Sequence, residues 1–542
     1  MFRQRVCKRL SPFSWARTIV SALAFSFVVA ISCTGSLCAA QPTQDRPNVI
    51  VFLVDDMGLM DTSVPMLTDE QGKPKRYPLN DFYRTPNMEV LASRGIRFSN
   101  FHAMSVCSPT RISLMTGQNA ARHRTTNWIN PDKDNRGDNG PKDWNWKGLN
   151  RQSVTLARVL QSAGYRTIHV GKGHFGPRDS EGADPQNLGF DVSVGGASIG
   201  APGSYYAEKK YGKDTQRAQA AVPDLESYYD SGLFLTEALT REAKLRVTES
   251  VEAGKPFFLY FAHYAVHAPF DSDPRFAANY LSSGKPKNAQ AYATLIEGMD
   301  KSLGDIMEHL KKLGVDRDTV IFFLGDNGSD SPLGEAHNVG SSAPLRGKKG
   351  SHYEGGTRAP FIASWATPDN SRAVQMRMPI SAGAVQTQLA TVQDLFPTIV
   401  QLAQVGSPAA PVSKSVLSES HAVDGMPLQT LFSGQADSNR PEQFLMHYPH
   451  APHRSDYFTV WRDGDWKLVY HYFPSKASGG SHYQLFNLGS DPFESEDLAE
   501  KESAKVREMV SSMVIQIKNF SAVLPIDGDG RELSVSTPNT SE

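Results

Sequence analysis

Four runs of apolar, β-branched or aromatic residues end abruptly in polar ones. No other feature of this 542-residue chain constrains its fold as tightly. Residues 47–54 run into Asp55-Asp56, and 165–170 into Gly171-Lys172-Gly173-His174. Residues 256–262 run into the segment His263 to His267, and 319–324 into Gly325-Asp326-Asn327-Gly328. Runs that are apolar at every position belong in strands buried on both faces, as in a parallel sheet. Helical signals lie between them. Residues 153–163 read as a capped helix stopped by Gly164, and Tyr292, Leu295, Ile296, Met299, Leu303, Ile306, Met307 and Leu310 share one helical face. Strands alternating with helices predict an α/β fold, a mostly parallel sheet sandwiched by helices. Ligands of open parallel sheets bind beyond the carboxyl ends of the strands, so the four polar segments are expected on one rim.

The acids on that rim narrow the chemistry. Asp55, Asp56, Asp326 and Asn327 offer hard oxygen donors, a set suited to Ca2+ or Mg2+ and poorly suited to zinc. Asp-Asn-Gly is also an ordinary turn tripeptide. Asp138-Asn139-Gly140 has no strand before it and is read as a turn only.

Cys107 adds a second kind of reactivity. The other cysteines, Cys7, Cys33 and Cys38, fall within the first forty residues. That stretch has the order of a secretory signal: five cations and no acid, an apolar run over 18–31, then small residues ending at Ala39-Ala40. Cleavage after Ala40 leaves Cys107 as a lone thiol in an exported, periplasmic or secreted, protein. Ser108-Pro109 opens a helix that Gly117 ends, which puts Cys107 at a helix N-terminus with Arg111 one turn along.

Size and charge set further limits. About 500 residues beyond the signal favour two domains. We expect a signal peptide over 1–40, a catalytic α/β domain over 46–435, a smaller α+β domain over 436–524 and a disordered polar tail over 525–542. The hairpin signature over 457–472, a strand over 483–488 and an amphipathic helix over 500–520 make the second domain an antiparallel sheet with one helix. Residues 404–422 read as a loop before it. The first forty residues hold five of 56 basic groups and none of 57 acidic ones, so the remainder carries a net −6. That is no footprint for nucleic acid or an anionic membrane. No later segment is long and apolar enough to span a bilayer.

With these residues in view, Cys107-Ser108-Pro109-Thr110-Arg111 resembles the Cys-x-Pro-x-Arg signature of the type I sulfatases, in the alkaline phosphatase superfamily. Asp55-Asp56, Gly171-Lys172-Gly173-His174, His267-Ala268-Pro269-Phe270, Gly325-Asp326-Asn327-Gly328 and the segment from Leu345 to Gly356 match family blocks in order. Asp491-Pro492 with Glu494 matches the family's C-terminal region. Two positions depart: Gly173 stands where Trp is usual, and lysines occupy both 348 and 349. Counting back from Tyr353-Glu354-Gly355-Gly356, Lys349 aligns with the sulfate-binding lysine and Lys348 becomes a surface or rim charge.

The resemblance implies that a maturation enzyme oxidises Cys107 to formylglycine. One Ca2+, or Mg2+, would be held by Asp55, Asp56, Asp326, Asn327 and residue 107. The hydrated aldehyde would attack sulfur, His267 protonate the leaving alcohol and His174 take a proton as the aldehyde re-forms. Lys172 and Lys349 would hold the sulfate, and Arg111 steady the hydrate. Each cation near the ester contributes on the order of 4 kcal/mol at ~4 Å and an effective dielectric near 20. His169 and His263 are read as structural. Trp128, Trp144 and Trp146 either stack on sugar rings or pin their own loop, and His447, His450, His453 and Arg454 are placed near the pocket rim. A sulfated carbohydrate is the expected substrate. Alternatives are a small aryl sulfate, a phosphodiester or phosphonate hydrolysed on the same scaffold, and a non-catalytic polysaccharide-binding protein with an intact thiol.

Overall fold

A computed structural model describes residues 46–406, 421–451, 454, 456–475 and 478–538. The signal segment with Cys33 and Ala40, most of the 404–422 loop, and His453 lie outside the described residues.

Fourteen strands are described. The large sheet is built from β1 (Asn48–Val54), β2 (Ile96–Phe98), β4 (Arg166–Gly171), β5 (Val192–Val194), β6 (Phe257–Ala262), β7 (Thr319–Gly325), β8 (Phe361–Trp365) and β9 (Val385–Gln386). Two short strands, β3 (Phe101–His102) and β10 (Ala390–Thr391), pair beside it. The sheet order is β5-β4-β6-β1-β7-β8-β2-β9. β5, β4, β6, β1 and β7 are parallel, and β8 runs antiparallel to both its neighbours.

The unbroken apolar run of β1 follows from where it sits. Val49, Val51 and Leu53 enter one core with the Cys107–Thr116, Leu156–Ser162 and Leu395–Leu402 helices. Ile50, Phe52 and Val54 enter the opposite core with the Leu235–Glu252 and Lys287–Lys312 helices. Alternate residues face alternate sides, and both sides are apolar. The helix expected over 153–163 is shorter, because Thr155 rather than Ser153 caps it: its hydroxyl accepts from the Arg158 N–H.

The C-terminal sheet consists of β11 (Gln443–Tyr448), β12 (Phe458–Asp463), β13 (Trp466–His471) and β14 (Tyr483–Asn487), all antiparallel. Leu445, Trp461, Leu468 and Leu485 pack on the Ser503–Asn519 helix through Val506, Met509, Val510 and Met513. The other face, with Phe444, Met446, Val460, Val469 and Phe486, joins the core beneath the large sheet. The described residues accordingly belong to one compact unit. Residues 525–538, part of the tail expected to be disordered, are tied down instead. Asn139 and Ile526 exchange backbone and side-chain hydrogen bonds, and the Tyr483 hydroxyl donates to the Ser536 carbonyl. Asp138-Asn139-Gly140 is the turn it was read to be, and it is also the anchor of that tail. Among the described residues, no helix is long and apolar enough to cross a membrane.

His169, His263, His447 and His450 are sealed in this interior. Burial pushes His169, His263 and His450 down to about 3 and His447 to about 4. His447 and His450 are therefore not on the pocket rim. His447 bridges Thr459 and the Val523 carbonyl, and His450 bridges Thr126 and the Arg136 carbonyl. A histidine held neutral in the fold takes up a proton on unfolding wherever the pH lies below the free value of ~6.5. The stability these groups contribute is complete above that pH and is lost as the pH falls towards 4. Urea midpoints should drop between pH 7.5 and 5, each histidine contributing up to ~1.4 kcal/mol per pH unit in the window. A midpoint that does not move would contradict the assignment.

Candidate active site

The strand order brings the four expected segments together. β4, β6, β1 and β7 are consecutive neighbours, with Gly171 opposite Ala262, Leu53 opposite Ala262 and Val54 opposite Gly325. Asp55, Lys172, His263 and Asp326 thus emerge from adjacent strand ends. Gly171 is required there: its φ is +98°, and a Cβ would lie 1.9 Å from the Ala262 carbonyl oxygen.

Asp55, Asp56 and Asp326 bring ligand oxygens within 4.8 Å of one another, all fully buried. Each carboxylate has its own cation. The Lys172 ammonium lies 2.7 Å from Asp55, the Arg111 guanidinium 2.8 Å from Asp326 and the Lys349 ammonium 2.6 Å from Asp56. Arg111 also donates to the Lys172 carbonyl and stands 3.6 Å from Asp55. Burial raises Asp55 well above the usual carboxylate range despite Lys172. At Asp56 burial pushes the same way, but Lys349 and His267 outweigh it and hold the acid low. Asn327 donates its amide to Asp56 at 3.0 Å. Two buried acceptors, Asp56 Oδ2 and Asn327 Oδ1, have no hydrogen-bond partner. Orphaned acceptors are costly in an interior, and a hard cation satisfies both. The donor set therefore fits Ca2+ or Mg2+.

Cys107 opens the Cys107–Thr116 helix, and Gly117 closes it in the left-handed conformation at φ +69°. The thiol is 3% exposed, and burial raises its pKa although Lys172 and Lys349 oppose this. As a thiol it is a poor nucleophile. Its neighbour is His174, whose Nδ1 lies 3.3 Å from Cys107 Sγ and 3.2 Å from Ser108 Oγ. His174 Nε2 lies 2.6 Å from the Ile129 carbonyl, which can only accept. That carbonyl fixes the proton on Nε2 and leaves Nδ1 as a bare acceptor aimed at position 107. Burial, reinforced by Lys172, keeps the ring neutral. In the sequence Ser108 reads only as part of a helix start. Its hydroxyl also accepts from the Ile129 N–H, locking the loop that orients His174.

His267 sits on the opposite side, Nε2 3.5 Å from Asp56 Oδ2 and Nδ1 2.8 Å from the Ala268 carbonyl. It is 21% exposed, and burial outweighs Asp56 to place it at about 4. Cys107, His174, His267 and Lys349 form the floor of a cleft of about 350 Å3. Trp128 lines its wall, whereas Trp144 and Trp146 are pins: their indole N–H groups donate to Asp134 and the Asn130 carbonyl. Lys348 is not a surface charge. It is buried, 3.3 Å from Asp330, and donates to the Ser331 carbonyl. Arg454 reaches the same Asp330 and the Lys349 carbonyl.

A family model described as Sulfatase matches residues 47–405. N-acetylgalactosamine-6-sulfatase of Homo sapiens is 28% identical over 524 residues, covering 90% of this chain and 88% of its own. Arylsulfatase J of Mus musculus is 28% identical over 415 residues, 73% of this chain and 63% of its own length. Among solved structures, Ps i-CgsB in complex with k-i-k-neocarrahexaose aligns with a TM-score of 0.65 at 24% identity, covering 91% and 96% of the two chains. The fold is thus the alkaline phosphatase-like α/β architecture with its smaller antiparallel sheet. The chain belongs to the sulfatase family, and it is an enzyme of that class.

One feature of the site lies in the C-terminal sheet. Lys467 on β13 sits 2.9 Å from Glu354 and 2.7 Å from Glu494, all three buried. Glu494 accepts from the Glu354 N–H, and its carbonyl accepts from Arg346. Arg346 and Glu354 flank Lys349, so this cluster clamps the loop that presents the lysine. Lys467→Met leaves two buried carboxylates sharing fewer cations. It should destabilise the protein by about 3–5 kcal/mol in urea unfolding. An unchanged midpoint would contradict the clamp.

Proposed function

We propose that this chain hydrolyses sulfate monoesters of a sulfated carbohydrate, with residue 107 as formylglycine and one Ca2+, or Mg2+, held by Asp55, Asp56, Asp326 and Asn327. The cation would polarise the sulfate, and the oxidised residue 107 would supply the nucleophilic hydroxyl. The other steps fall to this chain's own side chains. Lys172 and Lys349 place positive charge beside the incoming sulfate oxygens, where negative charge builds up in the transition state. Arg111 neutralises Asp326 and positions the strand-end carbonyl of Lys172. His174 Nδ1 accepts a proton from the group at position 107. His267 Nε2 faces the cleft as the donor to the leaving alcohol. Its free value near 4 means that the substrate's negative charge must raise it before it acts as an acid.

The observation carrying this reading is the bare His174 nitrogen 3.3 Å from Cys107 Sγ, in a floor of three carboxylates matched by three cations. Relatives named as N-acetylgalactosamine-6-sulfatase, and a fold neighbour solved with D-Glucosamine-2-N, 6-O-disulfate, support a sugar substrate. The buried thiol with a raised pKa supports conversion at position 107, because the thiol itself is a poor nucleophile. Export to the periplasm or beyond, where a maturation enzyme would meet the chain or precede it, belongs to the same reading.

Coexpression with a formylglycine-generating enzyme tests it. Peptide mass spectrometry should find an aldehyde in place of the Cys107 thiol, and the converted protein should release inorganic sulfate from a sulfated sugar. Cys107→Ala should lower that rate by about a thousandfold or more. A fully converted protein that releases no sulfate from any sulfated sugar or aryl sulfate would end the proposal.

A further inference from the structure

The cleft above Cys107 is larger than the sulfate floor needs, and its wall is charged. Arg178 and Arg217 both line it, with Asp132 as the acid opposite. Arg178 is already committed. Its Nε donates to Asp132 Oδ1 at 2.9 Å, its Nη2 donates to the Gln219 carbonyl at 3.3 Å, and its own N–H donates to the Pro131 carbonyl. It ties two wall segments together, and its charge is matched by Asp132. Arg217 has no acid or carbonyl partner for its guanidinium among the described residues.

The turn carrying Arg217 is nevertheless fixed. The Arg217 carbonyl accepts from the Ala220 N–H at 2.8 Å, and the Ala220 carbonyl accepts from the Gly203 N–H at 2.7 Å. Gly203 and Gly212 pass so closely that a Cβ on Gly203 would lie 2.6 Å from Gly212 Cα. Arg217 is exposed, but it stands on an anchored turn in the wall of the cleft that ends at Lys349, so that wall carries a positive charge that no described side chain compensates. A guanidinium fork matches two oxygens of a sulfate or a carboxylate. At about 350 Å3 the cleft lies at the low end of small-molecule pockets, so its contents stay within one or two sugar rings. The partly buried Trp128 offers those rings an apolar face.

We propose that Arg217 binds a second anionic group of the substrate, a sulfate or a carboxylate on the same or the adjoining sugar, so that the enzyme prefers glycans carrying at least two anions. This rests on the sulfatase reading of the site and names the substrate class it favours.

Binding is measured by titration calorimetry on a Cys107→Ala chain, which cannot turn the ligand over. Three probes are used: N-acetylgalactosamine 6-sulfate, its 4,6-disulfate, and the 6-sulfate joined to glucuronic acid. At least one two-anion probe should bind about tenfold tighter than the single sulfate, and which one does so identifies the anion read. Adding Arg217→Ala should remove that margin and leave the affinity for the single sulfate unchanged. Arg217→Lys should recover part of it. A margin that survives Arg217→Ala, or no margin with Arg217 present, overturns the proposal. The sulfatase reading fails by a different result: no sulfate released by the matured wild-type chain from any sulfated sugar or aryl sulfate.

Discussion

Three fully buried carboxylates bring oxygens within 4.8 Å of one another. At an effective dielectric near 20, like charges within about 5 Å repel by roughly 3 kcal/mol per pair, on the order of 10 for three. The fold answers with one cation per carboxylate: Lys172 for Asp55, Arg111 for Asp326 and Lys349 for Asp56. Those cations come from just beyond the end of β4, from the Cys107–Thr116 helix and from the loop after β7. The parallel order β4-β6-β1-β7 is what makes the convergence possible. Without it, Lys172 and Asp326 would leave the sheet at opposite ends.

The same balance explains what the site can bind. Protein charges alone sum to zero, and a divalent cation leaves the floor positive, which an anionic ester requires. His174 and His267 sit at the edges of this charge cluster and are both neutral before substrate arrives, each mainly through burial and His174 also through the nearby Lys172 charge. One bare nitrogen faces residue 107 and the other faces the cleft. The C-terminal sheet takes part in the same economy of charge: Lys467 pairs with Glu354 and Glu494 and steadies the loop that carries Lys349.

Much of this was legible in the sequence because it is local. An apolar run that stops at Asp55-Asp56 announces both a buried strand and the rim where its acids emerge. Cys107 before Ser108-Pro109 announces a helix start. The family blocks then ordered these parts into a site. What was hidden depends on contacts between distant segments. Nothing near Lys467 says that it lies against Glu354, and nothing near Lys348 says that Asp330 draws it inside. Trp128, Trp144 and Trp146 look alike in one polar loop, yet only the chain path separates the cleft wall from the two pins. His447 and His450 read as rim residues because they precede the small domain's hairpin in sequence, while the folded chain ties them to the Val523 and Arg136 carbonyls in the interior. Residues 525–538 read as too polar to order, but Asn139 and Tyr483 hold them by hydrogen bonds that composition does not reveal.

The central claim is that the carboxylate cluster is a cation site pressed against residue 107. Anomalous diffraction from crystals of the matured chain grown with Ca2+ tests it most directly. The account predicts one peak at about 2.3–2.6 Å from oxygens of Asp55, Asp56, Asp326 and Asn327, with residue 107 beside it. A cluster that holds no ion while its carboxylates stay paired with Lys172, Arg111 and Lys349 would contradict it, as would an ion bound by a different set of ligands.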